Sequence, residues 1–181
     1  MNPSLETNQL HERMLRNVFL NIELLLNDGI REISEYDVQS LMFLYFRRAL
    51  HNSELAVGRE THGKVDCVLY KSEVPKVFYE LKTYFKNHEQ LSQTDFDHDI
   101  TKLSERIADN AESKGYMIIA GRKAAFDVES LADFEWLRSR VHDYSKNWVE
   151  FLCLNGRELK LRPSQMQHYG LSIAFSWEVK L

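Results

Sequence analysis

The strongest constraint on the fold of this chain is a pair of short apolar runs separated by a charged interruption. The first reads Val65-Asp66-Cys67-Val68-Leu69-Tyr70 and the second Val77-Phe78-Tyr79-Glu80-Leu81-Lys82-Thr83. Both are rich in β-branched and aromatic residues, so each is predicted to be a strand. Side chains two apart on a strand share a face, so Glu80 and Lys82 project together while Leu81 turns the other way into a core. An antiparallel hairpin closed by Lys71 to Pro75 and centred near Glu73 sets Asp66 directly across from Glu80, about 5 Å apart at Cβ. Two like charges at that separation, half buried, are costly unless something neutralises them.

A divalent cation between the two carboxylates would remove the repulsion. Magnesium suits the arrangement, with manganese as a substitute, because it takes one or two carboxylates, keeps several waters and completes its shell with phosphate oxygens. Lys82 would then stand beside the metal-bound water and offset charge on a phosphate. That equipment fits phosphodiester hydrolysis. The plainer account of Glu80 and Lys82 is a charged pair on an edge strand that keeps the sheet from pairing with other chains, and of Asp66 a strand-start cap.

An Asp, a gap and then Glu-x-Lys on adjoining strands resembles the PD-(D/E)XK nuclease superfamily. The resemblance implies an α/β fold with a restriction-endonuclease-like αβββαβ core, a mixed central sheet flanked by helices, running from about Ser34 to Ala120. An extra N-terminal helix and C-terminal strands would be added to it. Many members carry a further acid on the helix before the strands, and Glu35 occupies that place, although an acid in a first helical turn is also expected from the helix dipole alone. The residue before Asp66 is Val65, where the family's name-giving pattern has proline. The resemblance further implies a Mg²⁺-dependent endonuclease acting on DNA. Asp66 and Glu80 would hold the metal together with the Leu81 carbonyl, Lys82 would position or activate water, and Glu35 would be a further ligand or base. Members that cut both strands commonly act as homodimers, and the family serves defence, repair and mobile-element assemblies.

At 181 residues, with 44% hydrophobic and 12% aromatic content, the chain is expected to form one globular domain. Its parts are an N-terminal helix over 1–30, a core over 34–120 and a C-terminal helix with strands over 121–181. No apolar run is long enough to cross a bilayer, and the first residues lack the basic start and apolar stretch of a signal peptide. Cys67 and Cys153 both sit in apolar runs, which suggests buried thiols and a cytoplasmic location. The net charge of −4 argues against promiscuous tight binding to phosphates. The charge is uneven, however: Lys64, Lys71, Lys76, Lys82 and Lys86 cluster around the hairpin, whereas acids dominate from Glu89 to Glu112.

The remaining elements follow from periodicity and punctuation. Leu10, Met14, Val18, Ile22 and Leu26 recur at helical spacing and Asn27-Asp28-Gly29 ends that helix. Ser34-Glu35-Tyr36-Asp37 has the form of a capping box opening a second helix with Arg47 and Arg48 near its end. Leu55 to Glu60 is predicted to be a strand, a helix runs from Thr94 to about Ser113, and Tyr116 to Ala120 form a buried strand. In that third helix Asp95, Asp97 and Asp99 are read as ordinary helix-start acids, and Asp99 and Lys102 as a surface pair. A fourth helix is predicted over Glu129 to Tyr144. Trp148 to Leu154 and Arg157 to Leu161 make a hairpin with a type I′ turn at Asn155-Gly156, and Leu171 to Val179 a last strand. Trp136, Trp148 and Trp177 read as core or interface, while Arg47, Arg48, Arg59 and His62 are candidate nucleic-acid contacts. Two other readings stand beside the nuclease: a catalytically silent nucleic-acid-binding module on the same fold, and a protein-interaction component of inhibitor or immunity type.

Overall fold

The computed structural model of the chain describes residues 3–58, 65–86, 93–110, 112–126 and 148–181. The predicted strand beyond Gly58, the contacts assigned to Arg59 and His62, the helix over 129–144 and Trp136 lie outside these residues. The described elements are, in order, α1 (Pro3–Asn27), α2 (Glu35–Ala49), β1 (Leu55–Gly58), β2 (Cys67–Lys71), β3 (Val74–Tyr84), α3 (Gln93–Asp109), β4 (Lys114–Arg122), β5 (Val149–Leu152), β6 (Glu158–His168) and β7 (Ser172–Lys180). A short 3₁₀ turn over Lys123–Phe126 follows β4. The fold is mixed α/β. Seven strands form one sheet in the order β1-β2-β3-β4-β7-β6-β5. Among the described strands only β3 and β4 run parallel, and α3 makes the crossover between them, as a parallel pair requires. Among the described residues no helix is long and apolar enough to cross a membrane.

The sheet separates two cores. On one face α1 and α2 bury Met14, Phe19, Ile22, Met42 and Phe46 against Leu69, Tyr79, Leu81, Tyr116 and Ile118. On the other, α3 buries Phe96, Ile100, Leu103 and Ile107 against Phe78, Met117, Ile119, Phe175 and Trp177. Alternate residues of β3 therefore serve different cores, as the period of a strand dictates. The helix comes very close to the sheet at Gly115, where a Cβ would lie 2.8 Å from Ile107 and 2.9 Å from Leu103. That glycine lets α3 lie low over β3 and β4.

The register of the β2–β3 hairpin places the site, and it depends on a bulge. The turn is tighter than expected, a two-residue loop of Ser72 and Glu73 between the paired Lys71 and Val74. Both loop residues have positive φ, 49° and 66°, the requirement of a type I′ turn. Continued without interruption, that turn would set Asp66 opposite Tyr79. A bulge between Leu69 and Tyr70 leaves Lys76 unopposed, so that Leu69 meets Val77 and Cys67 meets Tyr79. One inserted residue shifts the register by one and thereby turns Asp66 toward Glu80. The second hairpin departs from the expected turn. Cys153 and Arg157 close a three-residue loop in which Gly156 alone takes positive φ, at 79°, the type I turn plus glycine bulge that is the usual alternative to type I′.

Helix α1 is fixed to the sheet by two buried polar residues. His11 stacks on Tyr116, ring centroids 3.8 Å apart, and meets Ser176 Oγ at 2.9 Å. Burial pushes its pKa down to about 3, with Lys114 adding to the shift, so the ring stays neutral. Glu23 accepts hydrogen bonds from the Leu171 and Ser172 amides and the Ser172 hydroxyl at 2.8, 3.0 and 2.7 Å. Burial would raise its pKa, but these donors outweigh burial and hold the carboxyl below its usual range. Glu23→Ala strands those donors and is expected to destabilise the protein by about 3 kcal/mol, measurable by urea unfolding; an unchanged midpoint would show that the clasp is not structural.

Candidate functional site

The predicted residues do gather at one place, at the mouth between the start of α2, the start of β2 and the N-terminal half of α3. The capping box at Ser34 forms as expected, with Asp37 accepting from the Ser34 amide at 2.9 Å. Capping fixes the first turn of α2 and so points Glu35 at the sheet, where it accepts from the Thr83 amide. Asp66 sits just ahead of β2, its amide still paired with the Tyr79 carbonyl at 3.0 Å. Its two oxygens accept from the Leu81 amide and the Gln39 side chain, each at 2.6 Å. Glu80, in mid-strand and 1% exposed, faces α3. Lys82, two residues on, lies 3.9 Å from both Asp95 and Asp99.

Lys102 is what organises this cluster. Its ammonium forms an ion pair with Glu80 and another with Asp99 at 3.1 Å. Read from the sequence as half of a surface pair, Lys102 is instead drawn under α3 toward a buried carboxylate. Burial would lower its pKa, but Glu80 and Asp99 outweigh burial and hold it above the usual lysine range. Neither oxygen of Glu80 meets a hydrogen-bond donor at good geometry; what compensates its charge is the Lys102 ion pair. Sequence reasoning missed Lys102, Asp99 and Gln39 as members of the site. The available signal was the i, i+3 spacing of Asp99 and Lys102 on the apolar side of α3.

The carboxyls hold protons more tightly than free ones. Burial first, then the neighbouring Asp66 and Asp99 charges, push Glu35 up to about 7, against the pull of Lys82. Burial pushes Asp66 up to about 6, partly offset by the Leu81 amide. Glu80 is raised well above its usual value by burial and then by Asp66.

These findings overturn the expectation of a magnesium- or manganese-dependent nuclease. Among the described residues no group of three or more His, Cys, Asp or Glu is placed to hold a metal ion. The physical reason is that the expected ligands are already committed. Both oxygens of Asp66 accept from protein donors, Glu80 is taken by Lys102, and Leu81 meets the site through its amide, a donor. The counter-charge that a divalent ion was expected to supply comes from an internal ammonium. Lys82 faces Asp95 and Asp99, so it too is not arranged around a metal-bound water. The enzymatic and metal-binding assignment, phosphodiester hydrolase included, falls with the ion on which it rested.

A second cluster occupies the opposite face of the sheet, beyond the N-terminal half of α1. Lys160, Arg162, Glu178 and Lys180 share this face in register across β6 and β7. Glu178, buried, forms ion pairs with Arg162 and, at 3.2 Å, with Lys180. The Trp148 ring lies 4.6 Å from the Arg162 guanidinium and 4.7 Å from the Lys180 ammonium, so this tryptophan is a partner of cations and not core. Lys114, at the start of β4, joins them and donates to Asn8 at 2.5 Å. Burial and then repulsion from Lys180 and Arg162, partly offset by Glu178, bring its pKa down to about 8. Four cations thus meet two acids, Glu178 and Glu150, the latter paired with Lys160 across β5 and β6, on a chain of net charge −4. The signal was there in the alternation of Lys160 with Arg162 and of Glu178 with Lys180.

No protein-family model, no curated protein and no solved structure matches the chain.

Two outcomes follow from the carboxylate cluster. Glu35 and Asp66 have folded-state pKa values above the unfolded ones near 4, so the folded protein binds protons first as the pH falls. Stability should therefore rise as the pH is lowered from about 8 to about 5. Below about 4 it should decline as Glu23 and Glu178, held low when folded, lose their advantage. Thermal unfolding across that range tests this, and Asp66→Asn should flatten the upper limb. Lys102→Ala, which strands Glu80, should cost about 3–5 kcal/mol, and adding Glu80→Gln should recover most of the loss. Additive single-mutant effects in that cycle would show that the pair is not coupled.

Proposed function

We propose that the chain is a nucleic-acid-binding module that does not itself cleave, carried on a restriction-endonuclease-like core. The core assignment is supported by the order helix, three antiparallel strands, helix, parallel strand from α2 to β4. The opposition of Asp66 to Glu80, with Lys82 alongside and Glu35 on the preceding helix, supports it too. The absence of cleavage is supported by the Lys102 ammonium seated on Glu80. With the acids of that cleft closed by internal cations, the cleft has no excess of positive charge to offer a phosphate chain.

The observation that carries the binding reading is the cationic cluster around Trp148. Lys114, Lys160, Arg162 and Lys180 are held on one sheet face, opposite the acidic cleft, so a polyanion can approach without meeting Glu35, Asp66 or Asp99. Rigid strands space these cations, and Glu178 and Trp148 hold Arg162 and Lys180 in place. Such contacts read the phosphate backbone, not base sequence, and release counterions. The ligand is accordingly nucleic acid bound without strong sequence preference, at modest affinity.

Fluorescence anisotropy with a labelled duplex is expected to show binding that weakens with salt at a log–log slope of about −3. Lys180→Glu with Lys160→Glu should abolish it, whereas Lys82→Ala should leave it unchanged. Magnesium, manganese or chelator should alter neither the binding nor the integrity of the duplex. No binding at low salt, or binding indifferent to the double substitution, defeats the reading; duplex cleavage in magnesium defeats its non-cleaving half.

A further inference from the structure

We infer that the groove between α1 and α2 is the interface through which two copies of this chain associate. The groove, about 560 Å³, has Val18, Leu41, Leu44 and Tyr45 as its apolar lining, with Asn17, Asn21 and Arg48 at its rim. Leu44, on the lining, is 56% exposed, and Leu24, three residues along α1 from the lining residue Asn21, is 54% exposed. Exposed leucines from both helices at one groove differ from the scattered apolar residues of an ordinary surface.

The charges at the two ends of the groove identify the occupant. Helices α1 and α2 run antiparallel through a short connection, so Arg13 on α1 and Arg48 on α2 fall at one end. Asp28, just past α1, and Asp37, in the first turn of α2, fall at the other. Along α1 the stripe reads Arg13, Asn17, Leu24, Asp28, and along α2 in the reverse sense Asp37, Leu41, Leu44, Arg48. All of the four charged residues are exposed. A two-fold axis through the middle of the groove lays the basic end of one copy on the acidic end of the other and brings the leucines together. A surface that is its own complement under a two-fold is what an isologous dimer requires. An acidic helix from another protein would satisfy the arginine end and be repelled at the aspartate end.

Sedimentation equilibrium of the full chain at micromolar concentrations tests the inference. The wild type should dimerise, more weakly as salt is raised. Leu44→Glu should raise the dimer dissociation constant at least about tenfold, and Arg48→Asp should weaken it as well. Arg13→Asp should also weaken association, and adding Asp28→Arg to it in one chain should restore it, because the two-fold sets Arg13 of one copy against Asp28 of the other. Circular dichroism confirms that these surface variants remain folded. A wild type that stays monomeric, a dimer indifferent to Leu44→Glu, or failure of the charge swap to rescue each overturns the assignment. Because this surface is separate from the Trp148 cluster, nucleic-acid binding by a monomeric protein would sink this inference alone.

Discussion

A carboxylate on the central strand of a sheet, under a helix, has to be compensated from within the protein. Glu80 is almost wholly shielded from water, and leaving it charged there would cost several kcal/mol if unpaired. Lys102 compensates it from α3, and Asp99 one turn earlier holds Lys102 in turn. This arrangement ties α3 to β3 at a fixed height, which Gly115 makes accessible by giving up its side chain. The same ammonium stands where a divalent ion would have been needed, so the interaction that completes the fold also removes the metal chemistry.

The two faces of the sheet divide the electrostatic work. In the cleft between the start of α2 and α3, acids outnumber bases, and burial raises the proton affinity of Glu35 and Asp66 into the neutral range. On the other face, beyond α1, cations outnumber acids, and the crowding is strong enough to help depress Lys114. A single net charge of −4 hides this segregation. Strand alternation is the cause: in β7, Glu178 and Lys180 face one way while Trp177 and Val179 fill the α3 core. Surfaces of opposite charge can therefore coexist on one small sheet without facing each other.

The β2–β3 hairpin shows how little separates a gathered site from a scattered one. Its turn and its bulge each displace the register by a single residue, and only their sum sets Asp66 across from Glu80. Without the bulge the Asp66 side chain would lie on the face packed by α1 and α2, beside Tyr79 and Leu81 of the apolar core. Two non-glycine residues at positive φ, Ser72 and Glu73, are the local strain accepted for that turn.

Much of the architecture was legible in the residues themselves. Helical spacing from Leu10 to Leu26, the Ser34 capping box, and the apolar runs of β2, β3, β4 and β7 are local signals, and local signals survive into the fold because they reflect propensity and periodicity. The facing of Asp66 and Glu80 was legible too, although its expected cause, a longer loop, was replaced by a tight turn and a bulge. What the residues did not disclose was the identity of the counter-charge. Lys102 lies twenty-two positions beyond Glu80, and only the crossover of α3 brings its ammonium there. The cations around Trp148 come likewise from β4, β6 and β7, which the strand order alone makes neighbours. Sequence determined which side chains share a face; tertiary structure decided which charges meet, because electrostatic pairing depends on distance in space and burial, and neither is a property of the chain read along its length.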